Sequence, residues 1–295
     1  MTYFLDLRTL SKGGSVQYPV VKQVSFAPGI PDPTVSIVSA SVLAQEALGR
    51  DMIFVAHGFN VSREDGILCL SNWKNLLLLD ESYLFVGILW PGDSMWLGAL
   101  CYPGEGLHAM DSGKRLAIFI DKYLGQAASI SLVSHSLGTR VVLQTIFSMN
   151  TPVRQVALMA GAINDDCLVN EYQQAAKKIP KISLLASTRD EVLAKAFPIG
   201  NLCEGIVDVG HPYRDAALGR SGPSAMPPGK LQGPLQIPDA WKFGHHHYLE
   251  VDPHPNPPFT LPEGVPPQPT SAPRLANGWQ PAWAAAVVST RFQET

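Results

Sequence analysis

A short stretch near the middle of the chain has the residue types and spacing of a reactive serine. Residues 131–140 read SLVSHSLGTR, an apolar run that ends in a turn and leads into a helix-like segment. A serine at such a strand-to-helix turn is held in a strained backbone conformation at the tip of the strand, provided that the residues two before and two after it are small. Ser134 and Gly138 occupy those two positions around Ser136. The other interpretation is an ordinary turn in which Ser136 caps the helix.

A second segment could stabilise the negative charge that a serine attack creates. Residues 52–60 read MIFVAHGFN, a buried strand followed by His57, Gly58, Phe59 and Asn60. Glycine lets the backbone turn an N–H group towards a neighbouring strand end. A helix that starts after Ser136 would add its own free N–H groups and its dipole. Together the two segments could form an oxyanion hole.

A serine hydroxyl also needs a base and an acid that orients the base. Downstream, the strand-like run KISLLAS is followed by TRDEVL, which places Asp190 in a loop at the same sheet edge as Ser136. Its competing interpretation is the cap of the next helix, and Asp165 and Asp166 are the alternative acids. The run GHHHYLE supplies His245, His246 and His247, and a further candidate base is His211.

These motifs, in this order, resemble the α/β-hydrolase superfamily of serine hydrolases, and the resemblance covers about residues 52–249. It implies that the Phe59 and Leu137 N–H groups form the oxyanion hole, and that His57 has a structural role. The superfamily's order of serine, acid and histidine implies Asp190 as the acid. Its histidine is often followed three positions later by an aromatic residue, which favours His245, with Tyr248, over His246, His247 and His211. Ser134 departs from the glycine of the superfamily pattern.

Alternating apolar runs predict the fold class. Near-continuous apolar segments, typical of parallel strands that are covered on both faces, occur at 19–26, 52–59, 83–90, 130–136, 155–162 and 181–187, and residues 1–10 alternate like a strand. Helices are predicted at 36–48, 107–124, 137–149 and 169–178. The alternation indicates an α/β protein with a doubly wound, mostly parallel sheet and helices on both faces. A last strand is predicted near residues 235–238.

The domain division follows from composition. Residues 1–250 are predicted to form the hydrolase domain, and residues 251–295 a proline-rich extension that is packed on the surface or partly disordered. Only about residues 163–180 separate two of the predicted strands, so we expect no large cap domain. The substrate site would then be lined by other loops, and Trp90, Trp96 and His135 are the predicted substrate-binding residues.

Composition excludes several partners and favours a small-molecule substrate. The 295 residues are 46% hydrophobic and 16% charged with a net charge of −3, and no basic run suits a nucleic acid. No apolar run approaches a membrane span and no leader precedes the first strand, which predicts a cytoplasmic protein. The oligomeric state is left undetermined.

The function predicted from these features is hydrolysis of small-molecule carboxylic esters through Ser136, His245 and Asp190, without a cofactor or metal. A thioesterase, amidase or acyltransferase could use the same residues. The remaining alternatives are a non-catalytic binding module and a metal site at His245, His247 and His254.

Overall fold

The strands in the described part of the chain form one nine-stranded sheet, seen here in a computed structural model. The structure describes residues 1–10, 15–26, 33–92, 102–195, 197, 216–225, 230–232, 236–249 and 279–294. The strands are β1 (Thr2–Asp6), β2 (Val20–Ser25), β3 (Thr34–Ile37), β4 (Asp51–Ala56), β5 (Tyr83–Leu89), β6 (Ser129–His135), β7 (Gln155–Met159), β8 (Lys181–Leu185) and β9 (Leu231–Gln232). Their order across the sheet is β3-β2-β1-β5-β4-β6-β7-β8-β9.

In the order across the sheet, all strands from β1 to β9 run parallel. The antiparallel strands β2 and β3 extend the sheet beyond β1. Strand β1 runs parallel to β5, and β4 to β9 are all parallel, whereas β2 pairs antiparallel with β1 and β3. The central strands are buried almost throughout, as their apolar sequences predict. Parallel strands bring all their carboxyl ends to one edge, so the loops after β4, β6 and β8 meet there.

Helices cover the faces of the sheet. They are α1 (Ala40–Ala47), α2 (Arg63–Lys74), α3 (Tyr102–Tyr123), α4 (Gly138–Ser148), α5 (Gln173–Lys178), α6 (Leu218–Ser221) and α7 (Trp279–Gln293). Every residue of α4 from Gly138 to Ile146 is buried, because this helix is enclosed between α3 and the central strands. The predicted doubly wound α/β fold is therefore confirmed. The connection between β7 and β8 holds only the short helix α5, so no cap domain interrupts it.

Several predicted boundaries were wrong. The helix predicted at 36–48 starts at Ala40, because the β-branched stretch Thr34–Ile37 pairs with β2 as the edge strand β3. Helix α2 was not predicted; its start is capped by Ser62, whose Oγ accepts a hydrogen bond from Asp65 N. Among the described residues, the last strand of the sheet is Leu231–Gln232, and an isolated bridge from Gln236 to Ala186 falls in the predicted place.

Helix α7 is the main feature that the sequence analysis missed. The proline-rich residues 251–278, like Glu250 before them, lie outside the described residues, so the predicted domain boundary stays a prediction. Helix α7 follows them and is buried along most of its length. Ser289 Oγ accepts a hydrogen bond from Leu78 N, and the carbonyl of Phe292 accepts one from Tyr83 Oη. Within the described ranges, no helix has the length and hydropathy needed to cross a bilayer.

Candidate active site

Ser136 stands in a strained turn between β6 and α4. Its φ of 54° lies in the left-handed region, which is costly for a residue with a side chain. Backbone hydrogen bonds hold it there: Ser136 N donates to Met159 O, and Ser136 O accepts from Thr139 N and Ala162 N. The turn is thus fixed by the neighbouring strand β7 and by the first turn of α4.

The small residues on either side of the turn allow strand and helix to approach. A Cβ on Gly138 would lie 2.5 Å from the His57 carbonyl oxygen, so no larger residue fits without backbone movement. Ser134 is fully buried, and its Oγ lies 3.1 Å from Thr139 Oγ1, a hydroxyl pair that links the end of the strand to the helix. A serine is therefore accommodated where the superfamily pattern has glycine.

Three of the predicted site residues form a continuous hydrogen-bonded chain. Ser136 Oγ lies 2.8 Å from His245 Nε2, and His245 Nδ1 lies 2.7 Å from Asp190 Oδ2. Since the carboxylate can only accept, Nδ1 carries the proton and Nε2 is left to accept the serine proton. The exposed fractions of Ser136, His245 and Asp190 are 4%, 7% and 0%, so the chain is largely shielded from water.

Asp190 is fixed from the other side by the backbone. Its Oδ1 accepts a hydrogen bond from Leu193 N at 2.8 Å, so the residue also caps the helical residues 191–195. Asp190 therefore makes the contact expected of a helix cap with one carboxylate oxygen and bonds to His245 with the other, while its role as the catalytic acid stays a prediction. The alternative acids bond elsewhere: Asp165 Oδ1 accepts from Ser224 Oγ, and Asp166 pairs with Asn170.

The other candidate histidines that the structure describes, His246 and His247, lie on the exposed side of the turn that carries His245. His245–Tyr248 forms a single 3-10 turn, in which His245 is buried while His246 and His247 are exposed. His247 Nδ1 accepts a hydrogen bond from Gly244 N. His211 and His254 lie outside the described residues. Among the residues that are described, no group of three or more side chains could hold a metal ion.

The loop after β4 packs directly against the serine. A Cβ on Gly58 would lie 2.9 Å from Ser136 Cβ, so the absence of a side chain is what permits this contact. Leu137 N donates no hydrogen bond to any described residue, which leaves this group available to an oxyanion. Phe59, half-buried beside Gly58, is placed on the same loop. The oxyanion roles of Phe59 and Leu137 remain predictions.

His57 and Trp90 lock this loop in place. The Trp90 indole N–H donates to the His57 carbonyl at 2.8 Å, and His57 Nδ1 donates to Gly58 O at 2.8 Å. Burial lowers the pKa of His57 to about 4, so the imidazole is neutral near pH 7. Trp90 is fully buried and supports the loop; its predicted contact with substrate stays a prediction. Trp96 lies outside the described residues.

His135, predicted to bind substrate, lies beside the candidate base. Its Nε2 donates to the His245 carbonyl at 2.7 Å, and the two rings are 4.9 Å apart between centroids. The side chain is buried, and this burial lowers its pKa well below the ordinary value.

Two supporting features were missed in the sequence. Ser187 Oγ donates to Phe243 O at 2.7 Å, which ties the segment that leads to Asp190 to the segment that leads to His245. Beneath the His245 turn, a cluster of edge-to-face rings joins it to helix α7: Trp241, Phe243, Trp279 and Trp283. The only sequence signal for this cluster was the density of aromatic residues at 241–248 and 279–283.

Comparison with known proteins places the chain among hydrolases. A family model described as "Alpha/beta hydrolase of unknown function (DUF900)" matches residues 38–221, more than half of the chain. Among solved structures, the fold is similar to an inhibited esterase B from Lactobacillus rhamnosis, with 11% sequence identity, a TM-score of 0.33 and coverage of 67% of this chain and 72% of that one. No curated protein matches the sequence.

Proposed function

The chain belongs to the alpha/beta hydrolases of the family matched above, and we propose that it is a serine hydrolase that cleaves carboxylic esters with Ser136, His245 and Asp190. The hydrogen-bonded chain from Ser136 Oγ through His245 to Asp190 carries the proposal. Both of its links are short, and it begins at a serine that the backbone holds in the left-handed region.

The proposed reaction begins with the transfer of the Ser136 hydroxyl proton to His245 Nε2 while Oγ attacks the ester carbonyl. Asp190 stabilises the imidazolium that results. When the tetrahedral intermediate collapses, the bond to the alcohol breaks, and His245 returns its proton to the leaving alkoxide. An acyl group remains on Ser136. A water molecule, deprotonated by His245, then releases the acid and restores the serine.

The oxyanion of each tetrahedral intermediate would be held by backbone donors. Leu137 N–H lies at the start of α4, where the helix dipole favours negative charge. Phe59 N–H is the proposed second donor. By comparison with measured cases, one such donor lowers the activation barrier by about 3 kcal/mol. Apart from the ester and water, the proposed steps use only groups of the chain itself.

Labelling of the serine tests the proposal most directly. A fluorophosphonate probe should modify the wild-type protein at Ser136, because the probe needs a serine activated by a base. Ser136→Ala should lose the label. Ser148→Ala changes an exposed serine at the far end of α4 and should be labelled as the wild type is.

A folded wild-type protein that takes up no label would contradict the proposal and favour a non-catalytic binding module. If labelling occurs, p-nitrophenyl esters of graded chain length, with matched thioesters and amides, identify the substrate class. Faster turnover of thioesters or amides than of esters would replace the proposed ester specificity.

A further inference from the structure

His135 presents its two ring nitrogens to different surroundings. Nε2 lies 2.7 Å from the His245 carbonyl oxygen, and a carbonyl can only accept a hydrogen bond. Nε2 therefore carries the proton. The buried ring is neutral, since its pKa is lowered by burial. It follows that Nδ1 is unprotonated and offers a lone pair.

The Nδ1 lone pair has no partner in the described part of the protein. No hydrogen bond joins it to a described residue, and the atom is not completely sealed from solvent. It borders the reaction centre: a Cβ on Gly58 would lie 3.0 Å from His135 Nδ1 and 2.9 Å from Ser136 Cβ. A hydrogen-bond acceptor without a partner among the described residues thus lies beside both Ser136 and the loop after β4.

We propose that His135 Nδ1 accepts a hydrogen bond from the substrate, which carries a hydroxyl or N–H donor close to its ester carbonyl. This inference rests on the proposed function. A site that accepts a hydrogen bond discriminates against an analogue without the donor, because the acceptor is then left unpaired. The substrate class is therefore a hydroxylated or amide-bearing ester, rather than a simple alkyl ester.

Two substitutions separate the roles of the two nitrogens. In His135→Gln, the side-chain amide nitrogen replaces Nε2 as a donor to the His245 carbonyl, while the acceptor at the Nδ1 position is lost. In His135→Asn, the amide oxygen takes the Nδ1 position, while the donor to His245 is lost. Gln should thus remove substrate selectivity, whereas Asn should keep selectivity and lower kcat through misplacement of His245.

The test compares two pairs of esters that differ by one donor. Phenyl 3-hydroxybutanoate and phenyl butanoate differ on the acyl side; 2-hydroxyethyl butanoate and propyl butanoate differ on the alcohol side. Each kcat/KM is divided by the rate of hydroxide-catalysed hydrolysis of the same ester, which corrects for intrinsic reactivity. The wild type should prefer the donor in at least one pair by about tenfold, the effect of one hydrogen bond.

The same pairs, measured on the variants, complete the test. The preference should fall to about one in His135→Gln and persist in His135→Asn. A wild-type preference below about twofold in both pairs, or an equal loss of preference in both variants, would overturn the inference. The wild-type ratios decide the question by themselves if a variant does not fold. Fluorophosphonate labelling of the wild type distinguishes this failure from failure of the proposed function.

Discussion

At the scale of single residues, hydrogen bonds fix the side chains of the site. Asp190 uses one carboxylate oxygen on His245 Nδ1 and the other on Leu193 N. Ser134 fills a position that the superfamily pattern gives to glycine, because its hydroxyl pairs with Thr139 Oγ1. Such hydrogen bonds fix rotamers, and a fixed rotamer keeps the reacting atoms within attack distance.

Asp190→Asn should lower kcat by about a thousandfold or more while the fold is retained. The Asn amide would donate rather than accept towards His245, which favours the tautomer with its proton on Nε2, and that nitrogen could no longer accept the serine proton. Steady-state ester hydrolysis measures the loss, and circular dichroism verifies the fold.

Asp165→Asn is the matched control for this prediction. Asp165 Oδ1 accepts a hydrogen bond from Ser224 Oγ, whereas His245 Nδ1 bonds to Asp190, so the Asp165 variant should keep most of the activity. Near-normal turnover in Asp190→Asn together with a large loss in Asp165→Asn would transfer the role of the acid to Asp165.

At the scale of elements, the segments at the carboxyl edge of the sheet contact one another in pairs. The loop after β4 contacts the turn after β6 through Gly58, and the segment after β8 is tied to the His245 turn through Ser187. His57 and Trp90 brace the first of these loops from behind. The site is thus an arrangement of loops, and each is held by the end of a buried strand.

Gly58→Ala should reduce kcat/KM by roughly a hundredfold with little change in Tm. The new methyl group would press on Ser136 Cβ and His135 Nδ1, and displacement of a reactive group by less than 1 Å has effects of this size. Gly125→Ala provides the control, because a methyl group there has no neighbour within 4 Å. Equal activity in the two variants would show that the loop does not confine the serine.

At the scale of the whole molecule, distant parts of the chain support the base. Helix α7, near the end of the sequence, packs its Trp279 and Trp283 rings against Trp241 and Phe243, which precede His245. The same helix bonds to the segment between α2 and β5 through Ser289. Helix α7 therefore contributes both to the stability of the fold and to the position of His245.

The pH dependence of stability is predicted by the buried histidines. His57 has a pKa of about 4 in the folded state against 6.5 ordinarily, so between these values the unfolded chain binds the extra proton. The free energy of unfolding should be unaffected by His57 above pH 6.5 and fall as the pH drops towards 4, by roughly 3 kcal/mol over the window. The lowered pKa of His135 acts in the same direction.

Urea unfolding of the wild type and of His57→Asn between pH 4 and pH 7.5 measures this contribution. The variant should be less stable at pH 7.5, since it loses a packed ring against Trp90, but its stability should fall less steeply on acidification. Parallel curves for the two proteins would refute the predicted role of His57.

The sequence by itself determined the features that short-range patterns encode, namely most of the strands, the turn at Ser136 and the position of Asp190. Of the nine strands in the described part of the chain, apolar runs predicted six and alternation predicted β1, because a buried strand needs apolar residues on each buried face. The spacing around Ser136 predicted the turn, because close approach of strand and helix restricts side-chain size locally. Asp190 could be selected by its position after a strand, since parallel strands all end at one edge.

Only the tertiary structure decided which of three consecutive histidines faces the serine. The 3-10 turn directs His245 inward and leaves His246 and His247 exposed, and the packing of that turn depends on α7, which lies far away in the sequence. The burial of Trp90 behind His57 and the surroundings of the His135 Nδ1 lone pair also depend on such contacts between distant segments. Contacts between segments that are remote in sequence arise from packing and leave no periodic signal in the chain.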